Sequence, residues 1–212
     1  MKIFRTFSPF FFPVVALFLL FLFSSGHVFA DAFEQLRKDA AEIRSIQAKF
    51  TQNKSMKILA KPLVSEGRFY YAAPDSLRWE YLKPLKSVII THKGKTKRYF
   101  FSGGKFIEDQ TGGVQAMSIV LNEISAWMSG KFNQNPSFQA DLKETENMEI
   151  TLTPTGKNMT GMIENIFITL SKKDKAVKTV KIVENENSVT KIDFTGTIIN
   201  KAIPEEIFQD VQ

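Results

Sequence analysis

The chain has 212 residues, 43% of them hydrophobic, with 20 Phe and no Cys. That length supplies one domain with a core of its own and is short for two, and a chain without Cys can hold neither a disulfide nor a lipid-modified cysteine. Its formal charge of +6 is a mild excess carried by scattered Lys, which reads as a solvated face and argues against a nucleic-acid footprint.

Residues 1–30 have the pattern of a secretory signal peptide: Lys2 and Arg5 first, an apolar stretch from Phe10 to Phe23, and Val28-Phe29-Ala30 ending in a small residue. The apolar stretch is shorter than the roughly 20 residues that span a bilayer. A soluble protein starting near Asp31, beyond the inner membrane of a bacterium, is expected, with residues 31–212 as a single domain. Losing the first 30 residues leaves 26 basic against 22 acidic side chains, a net charge of +4.

From Asp31 to Arg44, Phe33, Leu36, Ala40 and Ile43 recur at spacings of three and four, which predicts an amphipathic helix. The apolar period then changes to two. Ile46, Ala48 and Phe50 alternate with polar residues, as do Phe69 and Tyr71, and then Leu77, Trp79 and Tyr81. Further strands are predicted at 87–91 and 97–101. A second helix is predicted over 116–128, where Met117, Val120, Leu121, Ile124 and Met128 form a stripe. Strands at 138–143, 148–152, 165–170, 177–183 and 188–199 complete the chain. Short turns such as Pro74-Asp75, Lys93-Gly94 and Ser102-Gly103-Gly104 join neighbours as antiparallel meanders. About ten to eleven strands in one domain imply a mainly β (α+β) fold, an incomplete antiparallel barrel whose open concave face the two helices cover.

The residue types that carry catalysis are missing from their usual patterns. His92 is the one histidine after residue 30, and no Gly-x-Ser-x-Gly elbow accompanies it. No His-Glu-x-x-His or other metal-ligand spacing occurs, so neither an enzyme nor a cofactor is expected. His92 beside Lys93-Gly94 reads as a strand-end residue at a turn. Ser102-Gly103-Gly104-Lys105 lacks the spacing of a phosphate loop and reads as a hairpin turn. What the sequence does offer is a face of large apolar side chains, Phe50, Phe69, Tyr71, Leu77, Trp79 and Tyr81. Opposite them stands a helix bearing Met117, Leu121, Ile124 and Met128. Such a face is an ordinary core or an apolar ligand cavity, and flexible, polarizable Met side chains suit the second.

Three segments give a resemblance. Ala48-Lys49-Phe50-Thr51-Gln52, Ser65-Glu66-Gly67-Arg68-Phe69-Tyr70 and Pro74-Asp75-Ser76-Leu77-Arg78-Trp79-Glu80-Tyr81 closely resemble the N-terminal half of periplasmic outer-membrane lipoprotein carriers of the LolA family. Weaker echoes follow in Leu152-Thr153-Pro154, Thr190-Lys191-Ile192-Asp193-Phe194, Ile203-Pro204 and Phe208. The resemblance implies an incomplete barrel that takes lipoproteins from an inner-membrane ABC-type release complex and delivers their acyl chains to an outer-membrane receptor. It also implies the periplasm of a Gram-negative bacterium and a monomer, and the lack of a lipobox Cys places the chain with the carriers rather than the receptor. Two departures stand out. Familiar carriers have Arg before the Pro of the Pro-x-x-x-x-Trp segment, where it holds the lid shut; here that residue is Ala73, leaving Arg78 or apolar packing to gate the cavity. They also extend further past the final Phe than this chain, which ends four residues after Phe208. A carrier of another lipid, such as a glycolipid, polyene or fatty acyl compound, or a lipid-sensing regulator, is the alternative.

Overall fold

The structure, a computed structural model, describes residues 26–110, 123–128, 130–155, 163–209 and 211. Helix α1 (Gly26–Ala41) puts Phe33, Leu36 and Ala40 on one buried stripe. It ends earlier than its apolar period predicts, because Ile43 leaves the helix to reach the core and β1 begins at Ser45. Eleven strands follow: β1 (Ser45–Met56), β2 (Leu63–Ala72), β3 (Ser76–Lys83), β4 (Ser87–His92), β5 (Lys95–Ser102), β6 (Lys105–Glu108), β7 (Phe138–Glu144), β8 (Met148–Pro154), β9 (Asn165–Leu170), β10 (Val177–Asn185) and β11 (Ser188–Ile199). Strand β6 is the one the sequence pattern left out. It is four residues long, and Gly103 and Gly104, both at positive φ, turn the chain back into it.

Two antiparallel meanders make one sheet in the order β6-β5-β4-β3-β2-β1-β11-β10-β9-β8-β7. The first and last strands of the domain, β1 and β11, join them in the middle over a long register from Ile46↔Ile199 to Met56↔Ser188. Strands β6 and β7 remain the sheet's two edges, so the barrel does not close. Between these edge strands in the sequence lies helix α2 (residues 123–128), which buries Ile124, Trp127 and Met128. It ends where Gly130 adopts a positive φ: the Gly130 N–H donates to the Trp127 carbonyl and the Lys131 N–H to that of Ala126, a Schellman-type stop. Met117 and Leu121, on the part of that helix predicted before residue 123, lie outside the described residues.

The core is one large cluster on the concave face, where α1, α2 and Phe132 pack onto inward side chains of most strands. The convex face has a smaller one. Val88, Ile90 and Tyr99 of β4 and β5 are covered there by the C-terminal segment, whose 3-10 turn η1 (Glu205–Phe208) buries Phe208.

Candidate functional site

Three strands in register assemble an aromatic cluster on the concave face. Phe69 pairs with Trp79 across β2 and β3, and Phe50 pairs with Gly67 across β1 and β2. Gly67 is decisive: a Cβ there would stand 2.3 Å from Phe50 Cζ and 2.1 Å from the Glu80 carbonyl oxygen. Its missing side chain lets the Phe50 ring lean across β2 onto Trp79, at 4.5 Å between centroids, and meet Tyr81 edge-on at 5.3 Å. Phe69 and Phe194 contact Trp79 at 5.6 and 6.0 Å.

The ten residues of the predicted apolar face and helix separate into four groups. Phe50, Phe69, Tyr71 and Leu77 are at most 2% exposed and form the packed floor. Trp79, Tyr81 and Ile124 line a cavity of about 310 Å³, together with Ile89, Ile182 and Ile192. Met128 is buried in the core beside it, and Met117 and Leu121 lie outside the described residues. The cavity sits near the lower end of the roughly 300–1,000 Å³ common for small-molecule sites. Most of the concave face is therefore filled, by α1 and α2 themselves.

One lip of the cavity is polar, which periodicity alone did not reveal. Gln52, Lys54, Glu184 and Thr190 line it. The Lys54 ammonium donates to both Glu184 carboxylate oxygens, at 3.0 and 3.1 Å, and the Ser188 and Thr190 hydroxyls donate to them as well. Burial raises the Glu184 pKa, but these donors outweigh it and leave the carboxyl below its ordinary value. The Tyr81 hydroxyl donates to Gln52 Oε1 at 3.0 Å, and burial holds its pKa above the usual phenol range. Trp79 Nε1, buried close to that hydroxyl, completes no hydrogen bond of good geometry. Ile182 and Ile192 were legible in principle, since each follows the period of two in its strand. Lys54 and Glu184, 130 residues apart, became neighbours only through the β1–β11–β10 ladder.

The two positions read as gating lie elsewhere. Ala73 is exposed in the β2–β3 turn, at the rim away from the polar lip, with its N–H donating to the Arg44 carbonyl. Arg78 emerges on the convex face, where it donates to the Ile207 carbonyl at 3.2 Å and pairs with Glu80 at 3.4 Å. Its guanidinium thus holds the C-terminal turn.

His92 does more than end a strand. Its Nδ1 lies 2.7 Å from Ser76 Oγ and its Nε2 3.4 Å from Glu205 Oε1, while its ring stacks on Phe208 with 6.2 Å between centroids. Serine, histidine and carboxylate in a row resemble a hydrolytic triad, yet Ser76 is itself buried, and the chain of contacts ends on the C-terminal turn. The geometry is that of an anchor: Lys93, 2.8 Å from the same Glu205 oxygen, reinforces it and lowers the Glu205 pKa.

A half-open sheet, an aromatic floor and a cavity beneath covering helices agree with the comparisons. The family model described as "Outer membrane lipoprotein carrier protein LolA" matches residues 41–210. This chain belongs to the LolA family. An outer-membrane lipoprotein carrier protein of Proteus mirabilis is 27% identical over 146 residues, covering 64% of this chain and 72% of the relative. That of Cronobacter sakazakii is 25% identical over 174 residues, covering 80% and 78%. Among solved structures, an uncharacterized conserved protein from Thermus thermophilus superposes with a TM-score of 0.53 at 10% identity, covering 86% of this chain and 94% of that one. The Pseudomonas aeruginosa MucA/MucB complex gives 0.50 at 12% identity, covering 86% and 60%. These two likenesses are of fold. LolA-family membership supports a carrier that binds lipid or lipoprotein, rather than an enzyme.

Proposed function

We propose that the protein carries lipoproteins across the periplasm of a Gram-negative bacterium, holding their acyl chains on the concave face between an inner-membrane ABC-type release complex and an outer-membrane receptor. The supporting observation is the cavity lined by Trp79, Tyr81, Ile89, Ile124, Ile182 and Ile192 in a LolA-family chain. The described state is the closed one, with room for part of one chain. Loading then displaces Ile124, Trp127 and Met128 of α2, and the arriving chain takes over the apolar surface they covered. At about 0.8 kcal/mol per methylene, roughly 14 buried carbons contribute on the order of 10 kcal/mol, less the cost of moving the helices. That exchange of one apolar cover for another keeps net affinity modest, as a carrier that must release its cargo requires. The Trp79 N–H, buried without a completed bond, is available to a carbonyl of the acylated cargo.

Delipidated protein should bind an environment-sensitive acyl probe saturably, at about one per monomer, with displacement by a triacylated lipopeptide. An Ile182→Glu variant, at a partly exposed position that lines the cavity, should lose that binding while keeping its fold. No saturable binding by folded wild type would overturn the carrier reading, and displacement by glycolipid or fatty acid but not lipopeptide would change the cargo.

A further inference from the structure

Alternate connections of an antiparallel sheet emerge at the same rim. Here the β1–β2, β3–β4, β5–β6 and β10–β11 turns share one rim: Met56 pairs with Ser188, Glu66 with Lys83, and the Phe101 N–H donates to the Lys86 carbonyl. The polar lip of the cavity, at Lys54 and Glu184, opens on this rim. The two most exposed large apolar side chains among the described residues are also there, each at a turn: Ile58, 88% exposed, between β1 and β2, and Leu85, 80% exposed, between β3 and β4. Leu59, Leu63 and Phe101 add exposed apolar surface beside them.

Each apolar tip is flanked by cations. Lys57 and Lys61 bracket Ile58-Leu59, Lys83 and Lys86 bracket Leu85, and Lys105 closes the β5–β6 turn. No acidic residue occurs between Glu42 and Glu66, and none between Glu80 and Glu108. Scattered along the sequence, these lysines are gathered by the fold. Lys83 is paired with Glu66 at 3.0 Å and Lys54 with Glu184 at 3.0 Å; against the exposed Lys57, Lys61, Lys86 and Lys105, the same rim carries exposed Glu186 on the β10–β11 turn and exposed Glu164 just before β9.

We propose that this rim docks onto an anionic phospholipid surface, with Ile58 and Leu85 entering the headgroup–acyl boundary and the lysines meeting lipid phosphates. Single aliphatic side chains on separate projecting tips, each beside a cation, suit a fluid surface that has no shape to match. Docking in this pose turns the cavity lip toward the bilayer. Only that last consequence, acyl transfer without passage through water, rests on the carrier reading.

Flotation of purified protein beginning near Asp31, so that the apolar stretch from Phe10 to Phe23 takes no part, with phosphatidylcholine vesicles, with and without phosphatidylglycerol, tests the proposal. Wild type should float with the phosphatidylglycerol vesicles and be released by salt. Ile58→Asp with Leu85→Asp should weaken that partition about tenfold or more, and Lys57→Glu with Lys61→Glu should abolish the preference for phosphatidylglycerol. Ile198→Asp, an exposed apolar position at the opposite rim, should change nothing. Acyl-probe binding, measured in parallel, should survive all of these variants, so that failure of the cavity and failure of the rim are read separately. Wild type that ignores anionic vesicles overturns the proposal, as does binding unaffected at Ile58 and Leu85. Loss of delivery to a protein acceptor alone, with no vesicle binding, overturns it in favour of a protein-docking rim.

Discussion

Gly67 sets how the aromatic cluster of the concave face packs. Its place opposite Phe50 leaves no room for a methyl group, because a Cβ would overlap both the Phe50 ring and the backbone of β3. Gly67→Ala should cost about 1–3 kcal/mol by overpacking, read as a lower denaturation midpoint, and should loosen acyl-probe binding as Phe50 shifts against Trp79 and Tyr81. Leu77→Glu, by contrast, places a carboxylate at a position with 0% exposure. It should unfold the protein rather than empty a cavity. At Ala73, exposed in its turn, Ala73→Arg is accommodated without burial, and slower hydrogen exchange over residues 123–128 is expected if the family's gate geometry applies here. Unchanged exchange would show that apolar packing alone closes this protein.

Among the elements, α2 and the C-terminal turn respond to different groups. Burial raises the pKa of Glu123, at the start of the described part of α2, with a hydrogen bond from Asn135 opposing it. A raised folded-state value favours the protonated form, so this contribution to helix docking is present below about 4.5 and is lost as pH rises through the shifted value. Glu184 has the opposite sign: its lowered value stabilises the lip above 4.5 and that contribution is lost on further acidification. Glu123→Gln should therefore flatten the upper part of the pH profile of α2 exchange and leave the acid limb, which Glu184→Gln should remove. At the back of the sheet, Arg78→Ala deprives the Ile207 carbonyl of its donor. It should cost about 1–3 kcal/mol, with faster exchange over residues 203–209 and acyl-probe affinity little changed. His92→Ala should act on the same segment through lost packing on Phe208 and leave cargo transfer intact.

At the scale of the whole molecule, the proposed carriage of acyl chains depends on the helices leaving a core they also complete. Phe33 and Leu36 of α1 and Trp127 of α2 belong to the same cluster as the floor residues, so the apo protein is stabilised by the parts that must move. The chain passes close to α1 at Gly130, just after α2, where an added Cβ would stand 2.7 Å from that of Ala40 and 2.9 Å from the Arg37 Cα. Gly130 also holds a φ of +72°. Gly130→Ala is therefore strained twice. It should push α1 and α2 apart, lower the melting temperature and speed acyl-probe exchange; a slower exchange would show that the two helices do not open together.

The sequence by itself determined the local structure, because periods of 3.6 and 2 are properties of short windows. Phe33, Leu36, Ala40 and Ile43 marked the first buried stripe, Leu77, Trp79 and Tyr81 marked an inward strand face, and paired glycines marked the β5–β6 turn. It also carried enough of the LolA pattern, from Phe50 through Tyr81, to announce the family. Which inward residues pack as floor and which line a cavity was decided by the tertiary structure, since Leu77 and Trp79 follow the same period and differ only in what covers them. The same holds for Lys54 and Glu184, for Ser76, His92 and Glu205, and for the lysines and bare aliphatic tips gathered on one rim. Those groupings arise from strand order, a long-range property that joins β1 to β11, and no local window contains it.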